Sequence, residues 1–131
     1  MALAHISVLE GRGTEEKRGL VDAIGRALSE ALHAPAEDPS VRLIEYPSSH
    51  VLIPYPDRHS DRYTTVEVTL FAGRSIDTKR RLYRAIVAAV EPFGVPPEDV
   101  LIVLHESPMH DWGVDAGIPA SEIDVGFKVD I

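Results

Sequence analysis

Two stretches of alternating apolar and polar residues, each followed by an amphipathic run, organise this chain. Ile6 and Val8 alternate with Ser7, and Val66, Val68 and Leu70 alternate with Glu67 and Thr69, which is the period of a half-buried strand. The period then lengthens. Leu20, Val21, Ile24, Ala27, Leu28 and Ala31, and later Leu82, Ile86, Ala89, Val90 and Phe93, fall at helical spacing and give each segment one apolar face. Ser75 is the predicted N-cap of the second helix, with Asp77 in its first turn facing the positive end of the dipole. Proline-containing segments stop both helices. VRLIE and VLIVLHE follow as strands; the second is apolar on both faces and is predicted to be a central strand. The tail SEIDVGFKVDI alternates again and predicts an edge strand over about 121–131, pairing with its own sheet or with a neighbour's.

The two halves are one unit repeated. Gly11, Arg12, Lys17, Arg18, Leu20, Ala23, Ile24 and Ala27 fall on Gly73, Arg74, Lys79, Arg80, Leu82, Ala85, Ile86 and Ala89 at an offset of 62. Pro35, Glu37, Asp38, Leu43, Glu45 and Pro47 meet Pro96, Glu98, Asp99, Leu104, Glu106 and Pro108 at an offset of 61, so one residue is gained or lost at the helix end. The expected organisation is a single domain. Repeat unit 1 covers about 2–47, a linker about 48–63, repeat unit 2 about 64–115, and the tail strand follows. Strand, helix and parallel strand, twice, predicts an α+β fold: a four-stranded mixed sheet with two helices on one face and a pseudo-twofold between the halves. Leu101, Val103 and Phe71 then point away from the helices, and an apolar outer sheet face predicts self-association.

Composition removes several function classes. Thirteen basic against twenty-one acidic residues, a formal charge of -8, with the Lys and Arg scattered, argue against a nucleic-acid footprint. The absence of cysteine excludes disulfides, thiolate nucleophiles and thiolate metal sites. No basic leader and no apolar run of membrane-spanning length is present, so a soluble, cytoplasmic protein without membrane partners is expected. His50 and His59 lie in the linker among prolines with Arg58 and Arg62, without a recognisable ligand spacing; the linker is expected to be a solvated loop closing over the site, and no metal is predicted.

LEGRG-x-EEKR, a helix, AP-x-ED, a strand, then AGRS-x-D-x-KR, a helix, VPPEDV and a strand ending in DWGV resemble the tautomerase superfamily over nearly the whole chain. The doubled length, Asp38 and the His110-Asp111-Trp112 segment look most similar to its malonate semialdehyde decarboxylase-like branch, with single-unit 4-oxalocrotonate tautomerases more distant. The resemblance implies a duplicated β-α-β fold, a homotrimer, and action without metal or organic cofactor on a small 2-oxo, enol or unsaturated carboxylate. Isomerisation is the leading expectation. Decarboxylation, hydration, or a non-catalytic ligand-binding trimer are the alternatives.

The family's base is an N-terminal proline exposed by loss of the initiator Met, and this chain has Ala2 at that place. An α-amine titrating near ~7.7–8.0 can still act as a base when held in a dry pocket. If Met1 is retained, that amine lies one residue too far out. Arg74 matches the carboxylate-binding arginine, where a guanidinium fork beside a helix N-terminus suits an anion. Arg12 is its repeat partner, and Arg42 resembles a second substrate-binding arginine, with an interface ion pair as its other reading. Asp38 matches the acid that supports the amine in the decarboxylase-like branch, its other reading being a turn residue like its twin Asp99. The second arginine of that branch is Ile76 here. Trp112 falls where the family places an aromatic over the substrate, or it packs a subunit contact. His105 and Glu106 are read as structural.

Overall fold

The computed structural model describes residues 1–131. Strand β1 (Ala2–Leu9) leads through helix α1 (Thr14–Leu32) to β2 (Ser40–Tyr46), and β3 (Thr64–Phe71) leads through α2 (Ile76–Val90) to β4 (Val100–Ser107). The sheet order is β2-β1-β3-β4; β1 runs parallel to β2, β3 parallel to β4, and the halves join antiparallel at β1–β3. This is the expected mixed four-stranded sheet with both helices on one face.

One residue in two along each central strand enters the core. Ala2, Ala4, Ile6 and Val8 of β1 and Val66, Val68 and Leu70 of β3 pack beneath Leu20, Ile24, Leu28, Leu82, Ile86 and Val90. Gly19 lets α1 approach the turn after α2: a Cβ there would overlap the Phe93 ring. Gly19→Ala is therefore expected to destabilise the fold by about 1–3 kcal/mol through overpacking, despite the helix-propensity gain, as measured by urea unfolding.

The change of offset between the repeats has a local cause. α1 runs nineteen residues before His33 turns into the left-handed region at φ 54°. α2 has fifteen, then Pro92 tightens the chain into a three-residue 3-10 turn (Glu91–Phe93) ending at Gly94, φ 80°. The tighter turn reaches the same place with one residue fewer.

Two sequence expectations are corrected. VLIVLHE is β4, an edge strand hydrogen-bonded only to β3, not a central one. Its outward residues Leu101 and Val103 are 46% and 37% exposed on the open sheet face, so two-sided apolarity here marks an uncovered face. The tail over 121–131 is not a strand: it starts in a 3-10 turn (Ala120–Glu122), after a short hairpin of β5 (Gly113–Val114) and β6 (Ile118–Pro119), and continues without a ladder. Alternation supplies a segment with one apolar side, and here that side is half-buried on the molecular surface without a ladder partner. No helix is long and apolar enough to cross a membrane.

Candidate functional site

Each β-to-α connection contains Gly-Arg at its centre, and the backbone explains why. Gly11 and Gly73 have φ of +117° and +130°, which only glycine adopts without strain, and the reversal carries the following arginine back under the end of the sheet. Arg12 and Arg74 are accordingly buried, 7% and 6% exposed. They lie at opposite ends of β1, which spans eight residues, or roughly 25 Å. The single chain thus carries two related sites rather than one site with two arginines.

At the Arg74 end, β1 begins beside the end of β3, with Ala2 opposite Leu70. Ala2 is 4% exposed, and the Met1 amine lies 3.4 Å from Asp38 Oδ2 at the entrance to β2. Burial lowers the amine's pKa below the usual 8.0; Asp38 opposes that and Arg74 adds to it. Arg74 Nη1 donates to the Phe71 carbonyl at 2.9 Å, whereas Nε and Nη2 are buried without a partner in the chain. Burial also lowers the Arg74 pKa, against the fields of Asp38 and Glu106. Trp112 closes this end: its ring meets Phe71 edge-on with centroids 4.9 Å apart, and its indole N–H is buried and unpartnered. The structure therefore gathers Ala2, Asp38, Arg74 and Trp112. Phe71, the floor under Trp112, was legible in the sequence only as an outward-facing strand residue. A guanidinium with two free donors, an indole donor, a depressed amine and a carboxylate can hold a small anion and move a proton beside it.

Arg12 sits at the other end in different company. Its Nη2 donates to the Arg62 carbonyl at 3.3 Å, Nε lies 3.9 Å from Glu16, and burial followed by the field of Arg62 lowers its pKa. Where Ala2 begins the first repeat, Thr64 continues from Tyr63, so the nitrogen is an amide and no amine exists there. The linker folds over this end, not over the Arg74 site as expected. Asp99, the twin of Asp38, is 1% exposed and accepts from the Ser60 N–H and hydroxyl, fixing the linker. Arg62 binds Glu16 and the carbonyls of Phe93 and Gly94. A cavity of about 430 Å³ remains under the linker, walled by Leu9, Tyr46, Val51, Leu52, Tyr63 and Leu101; it is the counterpart of the Trp112 side, with Val51 in the tryptophan's place.

The remaining candidates are placed as follows. Arg42 is exposed on the open face, opposite His5 and away from both ends within its own chain. Glu106 pairs with Lys79 as Glu45 pairs with Lys17, a repeated tie between strand and helix; the hydrogen bond from Lys79 lowers the Glu106 pKa. His105 bonds Glu67 at 3.0 Å across the open face. His59 bonds the Pro54 carbonyl at 2.6 Å inside the linker. Ile76 is 57% exposed at the start of α2.

The family described as tautomerase enzyme matches residues 40–115, and a second tautomerase enzyme family matches 3–58. The chain belongs to the tautomerase superfamily. A probable tautomerase from Ralstonia nicotianae is 40% identical over 57 residues, covering 43% of this chain and 80% of that protein. Among solved structures, the FG41 malonate semialdehyde decarboxylase inhibited by 3-bromopropiolate is 32% identical, with a TM-score of 0.77 over 89% of this chain and 92% of that one. A fused 4-OT, described as a symmetric trimer, is 28% identical with a TM-score of 0.82 over 91% and 96%. The family that matches is one of tautomerase enzymes, and the relatives named here include enzymes.

Proposed function

We propose that the chain is a cofactor-independent tautomerase acting on a small 2-oxo, enol or unsaturated carboxylic acid. The observation that carries the reading is Arg74: a buried guanidinium with two unpartnered nitrogens, a feature Arg12 shares, and, unlike Arg12, one electrostatically coupled to a terminal amine whose pKa burial lowers. Once Met1 is removed, the Ala2 amine takes the hydroxyl proton of the enol and a proton is returned to carbon. Arg74 holds the carboxylate and stabilises the enolate charge that develops between these steps. Asp38 orients the amine, and Trp112 excludes water and offers its N–H. Arg12 belongs to the counterpart end, where no amine is available, so one working site per chain is expected.

The uncovered face with Ile44, Leu101 and Val103 supports assembly through the sheet, as a homotrimer like the fused relative. Arg42, on that face, is then offered to a neighbouring subunit's substrate. Decarboxylation of an oxo acid is a second reading, favoured by Asp38 beside the amine and by the 32% identical decarboxylase; Ile76 weakens it by removing a cation at the helix start.

The deciding experiment combines the intact mass of the purified protein with assays of phenylenolpyruvate ketonisation and malonate semialdehyde consumption. A chain lacking Met1 that ketonises the enol is the expected result. Retained Met1 with an inactive wild type, and activity appearing only in Ala2→Pro, would replace this reading by a non-catalytic binding protein.

A further inference from the structure

Residues 123–131 lie across the surface with Ile123, Val125, Phe127, Val129 and Ile131 half-buried and the residues between them exposed. No residue after Ile123 makes a backbone–backbone hydrogen bond; inside the segment there is only a turn, with the Gly126 N–H donating to Asp124 Oδ1 at 2.8 Å. What fixes its far end is specific. A main-chain oxygen of Ile131, the last residue, accepts from the Ser75 hydroxyl at 2.6 Å and from the Thr78 hydroxyl, and Val129 lies 3.6 Å from where a Cβ on Gly73 would be. Gly73 and Ser75 flank Arg74.

We propose that residues 123–131 form a strap that shuts the Arg74 side of the site and lifts to admit an anion. Three observations converge on it. Arg74 is 6% exposed and lies between Gly73 and Ser75, the residues the segment touches, so a ligand must first gain entry there. The strap is held by side chains and two hydroxyls without a ladder, the pattern of a segment that opens locally. Its anchors are also unique to this end of the molecule. In the other repeat the positions of Ser75 and Thr78 are Gly13 and Glu16, and a Cβ on Gly11 would meet nothing within 4 Å. The difference between two otherwise matching turns is concentrated where the strap is tied.

The anchoring has a chemical consequence. A main-chain oxygen of Ile131 lies at the start of α2, where unpaired N–H groups and the helix dipole favour negative charge. It occupies the place that a ligand carboxylate bonded to Arg74 and the Ser75 and Thr78 hydroxyls would take, so the two compete for it, and ligand binding and strap release favour each other. This consequence rests on the reading of Arg74 as an anion-binding group; the closure itself does not.

Phenylglyoxal labelling of arginine, mapped by peptide mass spectrometry, reads the closure directly, with the equally buried Arg12 as internal reference. Three proteins are compared: the full chain, a chain ending at Glu122, and the full-length Thr78→Val/Val129→Ser variant. A closed strap that opens in 0.1–10% of molecules predicts Arg74 labelling about 10- to 1000-fold faster on truncation, with Arg12 unchanged, and a smaller rise in the double variant. Arg74 labelling that is unchanged, or that rises in step with Arg12, overturns the proposal. If the shortened chain loses its circular dichroism signature, the full-length variant alone decides. An inactive protein whose Arg74 is protected by the strap would defeat the tautomerase reading and leave the closure intact.

Discussion

Arg74→Gln is expected to lower kcat/KM for phenylenolpyruvate by about 10²–10³-fold, the usual cost of removing one preorganised donor from developing negative charge. The fold should survive, because the side chain makes a single hydrogen bond inside the protein, to the Phe71 carbonyl. Arg12→Gln should differ in activity and not in stability. It leaves kcat/KM close to wild type, and like Arg74→Gln it removes one hydrogen bond made by a buried guanidinium, here to the Arg62 carbonyl, at a similar cost of about 1–3 kcal/mol in urea unfolding. Steady-state kinetics and denaturation of the two variants side by side separate the two ends of the molecule. If Arg12→Gln were the one to lose activity while staying folded, the site would have to be moved beneath the linker.

Why one of two matched arginines should carry the chemistry was only partly legible in the sequence. The repeat exposes the Gly-Arg turns, because a positive φ and a buried guanidinium constrain the same positions twice. The Ser75 cap could likewise be read from its position: its side chain accepts from the Thr78 N–H at 3.2 Å. The asymmetry depends on contacts far apart in the chain. Asp38 and Asp99 stand in the same Pro-x-Glu-Asp setting, yet Asp38 lies beside a free amine and Asp99 is consumed by Ser60 of the linker. Nothing in the local pattern of 48–63 says which end of the sheet it will cover. β4 and the tail were misassigned for related reasons. Apolarity on both faces reports what side chains require, not which neighbour supplies it, and alternation over 121–131 is satisfied by laying one side on the molecular surface.

An N-terminal extension left on the chain, even one residue ahead of Ala2, is expected to reduce kcat/KM by about 10²–10⁴-fold, the contribution of a positioned general base. The pH profile should show that the loss is one of basicity. In the structure the terminal amine lies below 8.0 because burial disfavours its charged form. The Ala2 amine is set one residue deeper, at a residue 4% exposed, so burial acts on it in the same direction. The neutral, basic form then predominates at lower pH than for a free chain end, and activity falls as the pH drops through the depressed pKa. Asp38 favours the protonated amine and Arg74 disfavours it. Asp38→Asn should therefore move the acid limb of kcat/KM to lower pH, and Arg74→Gln should move it to higher pH while lowering its plateau. Opposite displacements by the two substitutions cannot arise from a general loosening of the site, which would expose the amine and shift both profiles upward. An acid limb that stays fixed in both variants would mean that a group other than the N-terminal amine carries the proton.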